Sequence, residues 1–201
     1  ENPTVTLAAM ASAESPRRIL RIAANASVEV HNLTLTGAWT LQGSDPGGGA
    51  VSNAGTLHMY GCRFTSNTGW VGAAIFSTGT LQLVQSTIVA NTGMYSVHSA
   101  LCIHSGMAEI HDCVVEANHG RGLLNNGVTH IVDTIFRANR IKYDGAAIYN
   151  TDQLTLVRTQ IIGNQAHGVA GVAGGIQNAG VNARLDMRDC LIADNIATTR
   201  G

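Results

Sequence analysis

A seven-residue block closing on asparagine recurs six times along this chain, and that repeat restricts the fold more than any other feature of the sequence. The copies are GCRFTSN ending at Asn67, QSTIVAN at Asn91, DCVVEAN at Asn118, DTIFRAN at Asn139, RTQIIGN at Asn164 and DCLIADN at Asn195. The register inside each copy is rigid. Eight residues before the asparagine stands an apolar side chain: Met59, Leu83, Ile110, Ile131, Leu156 or Met187. Three before it stands another: Phe64, Ile88, Val115, Phe136, Ile161 or Ile192. Five before it stands a small one: Cys62, Ser86, Cys113, Thr134, Thr159 or Cys190. Successive asparagines lie 24, 27, 21, 25 and 31 residues apart. A period of this size marks a stacked array, in which each unit buries its apolar face only against its neighbours.

A glycine motif precedes each block, clearest as GGAVSNAG at Gly48, GAAIFSTG at Gly72, GAAIYNTD at Gly145 and GGIQNAG at Gly174. It decays between Gly106 and Asn126. Each unit then holds three strand-like runs, of the kinds TLHM, CRF and AVS, separated by turn residues. Three strands and three turns per unit make one coil of a right-handed parallel β-helix, stacked at the ~4.8 Å strand spacing. An opening half-copy, ASVEVHNLTLTG, supplies Val28, Val30, Leu33 and Leu35 but no asparagine, so about seven coils are expected. Residues 1–17 read as a lead-in or cap, 18–197 as the β-helix, and 198–201 as the end of a fragment that continues in a longer protein. Leu57, Leu81, Leu154 and Leu185 should form an inward ladder. The asparagines should stack at a tight turn, each amide bonding the next. Insertions at 38–47, 92–98 and 165–172 should project from one edge.

Composition agrees with this reading. Charged residues are 12%, apolar residues 45% and glycines number 23, a mixture unlike disorder and unlike helical proteins. Twelve basic against thirteen acidic residues set up no field for a polyanion, so nucleic acid is not an expected partner. No run approaches the ~18 apolar residues of a membrane span. Three of the four cysteines hold the small inward position, and Cys102 falls near the isoleucine of the glycine motif, so all four read as core residues. Cys62 and Cys113 lie two coils apart, beyond the ~7 Å limit for a disulfide. A Cys102–Cys113 bridge is conceivable and not favoured. No cysteine or histidine spacing suits zinc, and neither metal nor cofactor is expected. Asn25 and Asn32 begin sequons, NAS and NLT, that are glycosylation candidates in a secreted protein.

GGAVSNAGTLHMYGCRFTSN and GAAIFSTGTLQLVQSTIVAN resemble the Gly-Gly-x-Ile-x-Asn, Gly-Thr-Leu-x-Leu, Ser-Thr-Ile-x-x-Asn repeats of right-handed β-helix surface proteins. Similar units occur in bacterial polymorphic outer-membrane and anchor-bearing surface proteins, and the fold is that of the pectin lyases. The resemblance covers Arg18 to Ile196. It implies an extracellular or cell-surface protein, and it is specific for architecture rather than chemistry.

Because the same fold carries polysaccharide lyases and hydrolases, the carboxylates need a search. The corner after the first strand reads Asn32, Gly61, Gln85, Asp112, Asp133, Arg158 and Asp189 down the stack. Asp112 and Asp133 would sit on adjacent coils, near the ~5 Å separation of a retaining glycosidase pair. Like charges so close would raise one pKa. His130 and Arg158 lie beside them, as do Glu109, His111, Glu116 and Arg137. The plainer reading pairs charges across a solvated face, Asp133 with Arg158 and Glu116 with Arg137. Trp39, Trp70, Tyr95 and Tyr143 fall in the loops after the asparagines, where rings could stack on sugars or shield the core. A third-strand column of Phe76, Leu124 and Tyr149 could form an apolar stripe. The expectation is a noncatalytic surface domain acting as an adhesive, spacer or assembly element. Its partners would be a polysaccharide or glycoprotein surface, or other protein chains. The alternative is a carbohydrate-active enzyme using Asp112 and Asp133.

Overall fold

The computed structural model describes residues 5–41, 47–94, 98–168 and 172–198, and among these no helix occurs. Three parallel sheets run the length of the stack. The first has seven strands, from Ser27–His31 to Arg184–Arg188. The second has eight, from Val5–Ala8 to Leu191–Ala193, and the third seven, from Leu20–Ile22 to Ile176–Asn178. Strand order follows chain order in all three, so each coil lies directly on the one before. The register is that of the sequence alignment: Leu57 pairs with Leu81, Met59 with Leu83, and Phe64 with Ile88. The fold is a parallel β-helix.

The coil count needs a small correction. The opening coil turns its last corner through Gly37 and Ala38, and the Ala38 amide donates to the Asn67 side chain at 3.1 Å, as the backbone amide of each ladder asparagine does to the next. The opening coil has a strand in each sheet but Ala38 where the others carry the ladder asparagine, so the stack counts about six asparagine-bearing turns rather than seven. Within the segment read as a lead-in, Val5–Ala8 pairs with Leu33–Thr36 as the outermost strand of the second sheet. A short fourth column, absent from the three-strand reading, follows the asparagines through Thr68–Gly69, Thr92–Gly93, His119, Arg140–Ile141, Gln165–Ala166 and Ile196–Ala197.

The inner faces close into one apolar core. Leu57, Met59, Phe64, Ile75, Leu83 and Phe136 are completely buried, each such side chain contributing about 1.5–3 kcal/mol by its removal from water. Turning so tight a coil requires left-handed backbone at fixed points. Every residue in the corner from first to second sheet has positive φ: 53° at Asn32, 60° at Gly61, 48° at Gln85, 53° at Asp112, 49° at Asp133, 46° at Arg158 and 54° at Asp189. A second left-handed column, Ser66, Ala90, Ala117, Ala138, Gly163 and Asp194, stands just before the asparagines.

Polar ladders bind the coils at these corners. Each buried asparagine donates its amide to the asparagine one coil on, as Asn67 to Asn91 at 3.0 Å and Asn139 to Asn164 at 3.0 Å. The same amides donate back to the preceding coil's carbonyls, Leu35 and Val115 respectively. The small residues form a second ladder, in which the Cys62 amide donates to Ser86 Oγ at 3.0 Å and Ser86 Oγ donates to the Val84 carbonyl at 2.8 Å. Buried polar groups are thereby satisfied coil to coil.

Candidate functional site

Asp112 and Asp133 occupy the left-handed corner, where Asn, Asp and Gly are the residues that tolerate the backbone best. Their identity is therefore accounted for by conformation before any chemistry is invoked. Arg158, one coil on, grips Asp133 with both ends of its fork, Nε to Oδ1 at 2.7 Å and Nη2 to Oδ2 at 2.6 Å. Those hydrogen bonds, with the guanidinium charge, hold the Asp133 carboxyl below its usual range. The elevation expected from two neighbouring carboxylates is thus reversed at Asp133, and a carboxylate kept ionised has no proton to give a leaving group. The Arg158 guanidinium is held more firmly protonated in turn, first by the Asp133 hydrogen bonds and charge, then by Asp189 and Asp112.

His130 lies on the exposed face of the first sheet, opposite Glu109 in register and edge-on to His111 at 6.1 Å. Glu116 meets Arg137 at 2.6 Å. Both pairings of the plainer reading are present. The exposed face of the first sheet carries further polar contacts, Glu29 to His31 at 2.6 Å within one strand and, across coils, His31 stacked on Tyr60 at 4.8 Å and Tyr60 donating to Gln82 at 2.7 Å.

The aromatic candidates are divided. Trp39 is half-buried, its backbone exchanging hydrogen bonds with Arg17 at 2.8 and 3.0 Å. Trp70, also half-buried, packs its ring on His98 at 4.7 Å. His98 itself is buried, which together with the Arg121 charge pushes its pKa down to about 4. Tyr143 is half-buried. Tyr95 lies outside the described residues. The third-sheet stripe is no open apolar face. Phe76 is 3% exposed with His104 stacked on it at 5.3 Å, and Tyr149 lies under the Arg121 guanidinium at 4.5 Å. Cys102 pairs with Phe76 and Leu124 in this outward column, so it is buried outside the main core rather than within it. Burial pushes the Cys102 and Cys113 thiols up to about 12, and all four cysteines are free. Asn25 and Asn32 are both exposed, on left-handed backbone with φ of 68° and 53°.

Among the described residues no group of three or more His, Cys, Asp or Glu side chains is placed to hold a metal ion. Two features escaped the sequence reading. One is a further amide ladder along the third sheet, Asn53 to Ser77 at 3.0 Å, Asn125 to Asn150 at 2.7 Å and Asn150 to Asn178 at 2.7 Å. Its signal was the last residue of VSN, IFS, LLN, IYN and IQN. The other is a pair of hollows beside His119 and Arg140, of about 170 and 180 Å³. No single motif marks them, because their walls come from three coils. Comparisons with protein-family models, with curated proteins and with solved structures each find no match.

Proposed function

We propose that this chain is a noncatalytic β-helix repeat domain of an extracellular or cell-surface protein, serving as an adhesive, spacer or assembly element whose outer surface contacts glycan or protein. The observation that carries this reading is the bidentate grip of Arg158 on Asp133 at 2.6 and 2.7 Å. It engages one of the two carboxylates a glycosidase would use. The corner backbone supplies an independent reason for aspartate at both positions. The remaining repeated residues have structural work in the core or in the ladders. The similarity of the repeats to surface β-helix proteins supports the same conclusion by analogy.

The test is a glycan array with the purified chain, read both for retention and for release of reducing ends from acidic and neutral polysaccharides. Retention or inertness without cleavage is the expected outcome. Cleavage lost on Asp112→Asn or Asp133→Asn would overturn the reading and make that corner an active site.

A further inference from the structure

The hollows at His119 and Arg140 arise from a missing loop. Between the ladder asparagine and the next third-sheet strand, the coil of Asn91 spends residues 92–98 and that of Asn139 residues 140–147, whereas the coil of Asn118 passes directly through His119 and Gly120 to Arg121–Asn125. A notch results, flanked by longer links on both sides. Gly120 keeps its floor low. Its φ is +136° and a Cβ there would meet the His98 carbonyl oxygen at 2.7 Å, so no larger residue fits.

The charged side chains that line the notch, Arg140 and Lys142, are both cationic, and two imidazoles stand beside them. Gly93, Gly120 and Ile141 line it together with His119, Arg140, Lys142 and His167, and no carboxylate is among the described lining residues. Those four side chains are exposed and come from three successive coils, about one strand spacing apart. The neighbouring acids are engaged elsewhere: Glu116 pairs with Arg137 at 2.6 Å, and Asp144 accepts from the Val172 amide at 2.6 Å. A second hollow adjoins the notch, sharing His119 and Arg140 and continuing over Ala117 and Ala138. The methyl side chains at those two corners leave a low path out of the notch.

We infer that this notch binds a tetrahedral oxyanion, a sulfate or phosphate ester, carried on a saccharide chain that leaves over Ala117 and Ala138. A planar carboxylate is satisfied by a single guanidinium fork. Donors arriving from three coils, the Arg140 guanidinium and Lys142 ammonium from one and the His119 and His167 imidazoles from the two beside it, match an anion with acceptors on several sides. The size of the notch suits one such group and not a whole ligand, since pockets for complete small molecules run from roughly 300 Å³ upward. This assignment rests on the surface-contact reading above and names the chemistry of the contact.

The intact chain is titrated calorimetrically with dextran sulfate and with unsulfated dextran of equal length, and bound dextran sulfate is competed with inorganic sulfate and inorganic phosphate. Dextran sulfate should bind and dextran should not. Arg140→Ala and Lys142→Ala should each weaken binding by about tenfold, the loss of one charge-assisted contact. Arg188→Ala, at an exposed position on the first sheet, should leave it unchanged. The inorganic anion that competes at the lower concentration identifies the ester. Equal losses in all three variants would reduce the binding to diffuse charge and overturn the site. Retention of a neutral glycan, insensitive to Arg140→Ala, would overturn the site and leave the surface-contact reading standing. Binding of free phosphate without dextran sulfate would overturn the saccharide assignment. Circular dichroism confirms that each variant is folded.

Discussion

The side-chain nitrogen of Asn118 donates to the side-chain oxygen of Asn139 at 2.9 Å, across 21 residues of sequence and one coil of the stack. The same nitrogen donates to the Ile88 carbonyl at 3.0 Å, while the Asn118 oxygen accepts from the backbone and side chain of Asn91 at 2.9 and 3.1 Å. One side chain thus joins three coils out of contact with water. Asn118→Ala leaves donors and acceptors on both neighbours buried and unpaired, and should destabilise by about 3–5 kcal/mol. Asn195→Ala, at the half-buried last coil, should cost only about 1 kcal/mol. Urea midpoints at unchanged m-value measure both. Equal costs would show that the ladder does not act through burial.

Ala117 sits at φ 50°, a conformation costing an L-residue about 1–2 kcal/mol. Glycine relieves that strain but adds about 0.4–1 kcal/mol of unfolded-chain entropy. Ala117→Gly should therefore stabilise by about 0.5–1 kcal/mol. Ala147→Gly, at a buried position of ordinary backbone, should destabilise. Thermal melts of the two variants should move in opposite directions.

Burial, with the nearby Arg121 charge, keeps His98 neutral in the fold down to about pH 4, against 6.5 for a free imidazole. Between these values the unfolded chain takes up a proton that the folded chain refuses. The contribution of His98 is complete above pH 6.5 and is lost as the pH falls toward 4, about 2 kcal/mol having gone by pH 5. His98→Phe keeps a ring against Trp70 and should remove this part of the pH dependence. Urea melts of both proteins at pH 7 and pH 5 provide the comparison.

Thiols held near pKa 12 offer almost no thiolate at pH 8. Cys102 and Cys113 should therefore resist iodoacetamide until the protein unfolds, whereas the partly exposed Cys190 labels first. Peptide mass spectrometry of a timed reaction follows each site. Early labelling of Cys102 would mean that the third sheet opens readily around it.

Period and register made the architecture legible: an asparagine fixed eight residues after one apolar position and three after another leaves little but a stack of coils. The inward ladders and the asparagine ladder followed from the same alignment. The candidate site was harder to read because aspartate serves two purposes. At Asp112 and Asp133 the left-handed backbone asks for a short polar residue, and in a bare sequence this looks the same as a pair of acids. Cys102 misled for a related reason. It is apolar in company and wholly buried, yet it faces outward between Phe76 and Leu124, and alternation along a strand cannot distinguish a core face from a buried outer one. The notch beside Gly120 depends on a link that is short only relative to its neighbours, a property of three coils together.

The amide ladder of the third sheet is interrupted at one place. Ile103 stands between Ser77 and Asn125 in that column, and an isoleucine side chain hands no hydrogen bond to the coils on either side. A rod pulled along its axis bears tension through every sheet at once, and it parts where the fewest bonds cross. At Ile103 the third sheet contributes no such side-chain bond, so tension there falls on the backbone pairing of the sheets and on the Asn91 to Asn118 amide bond at 3.1 Å.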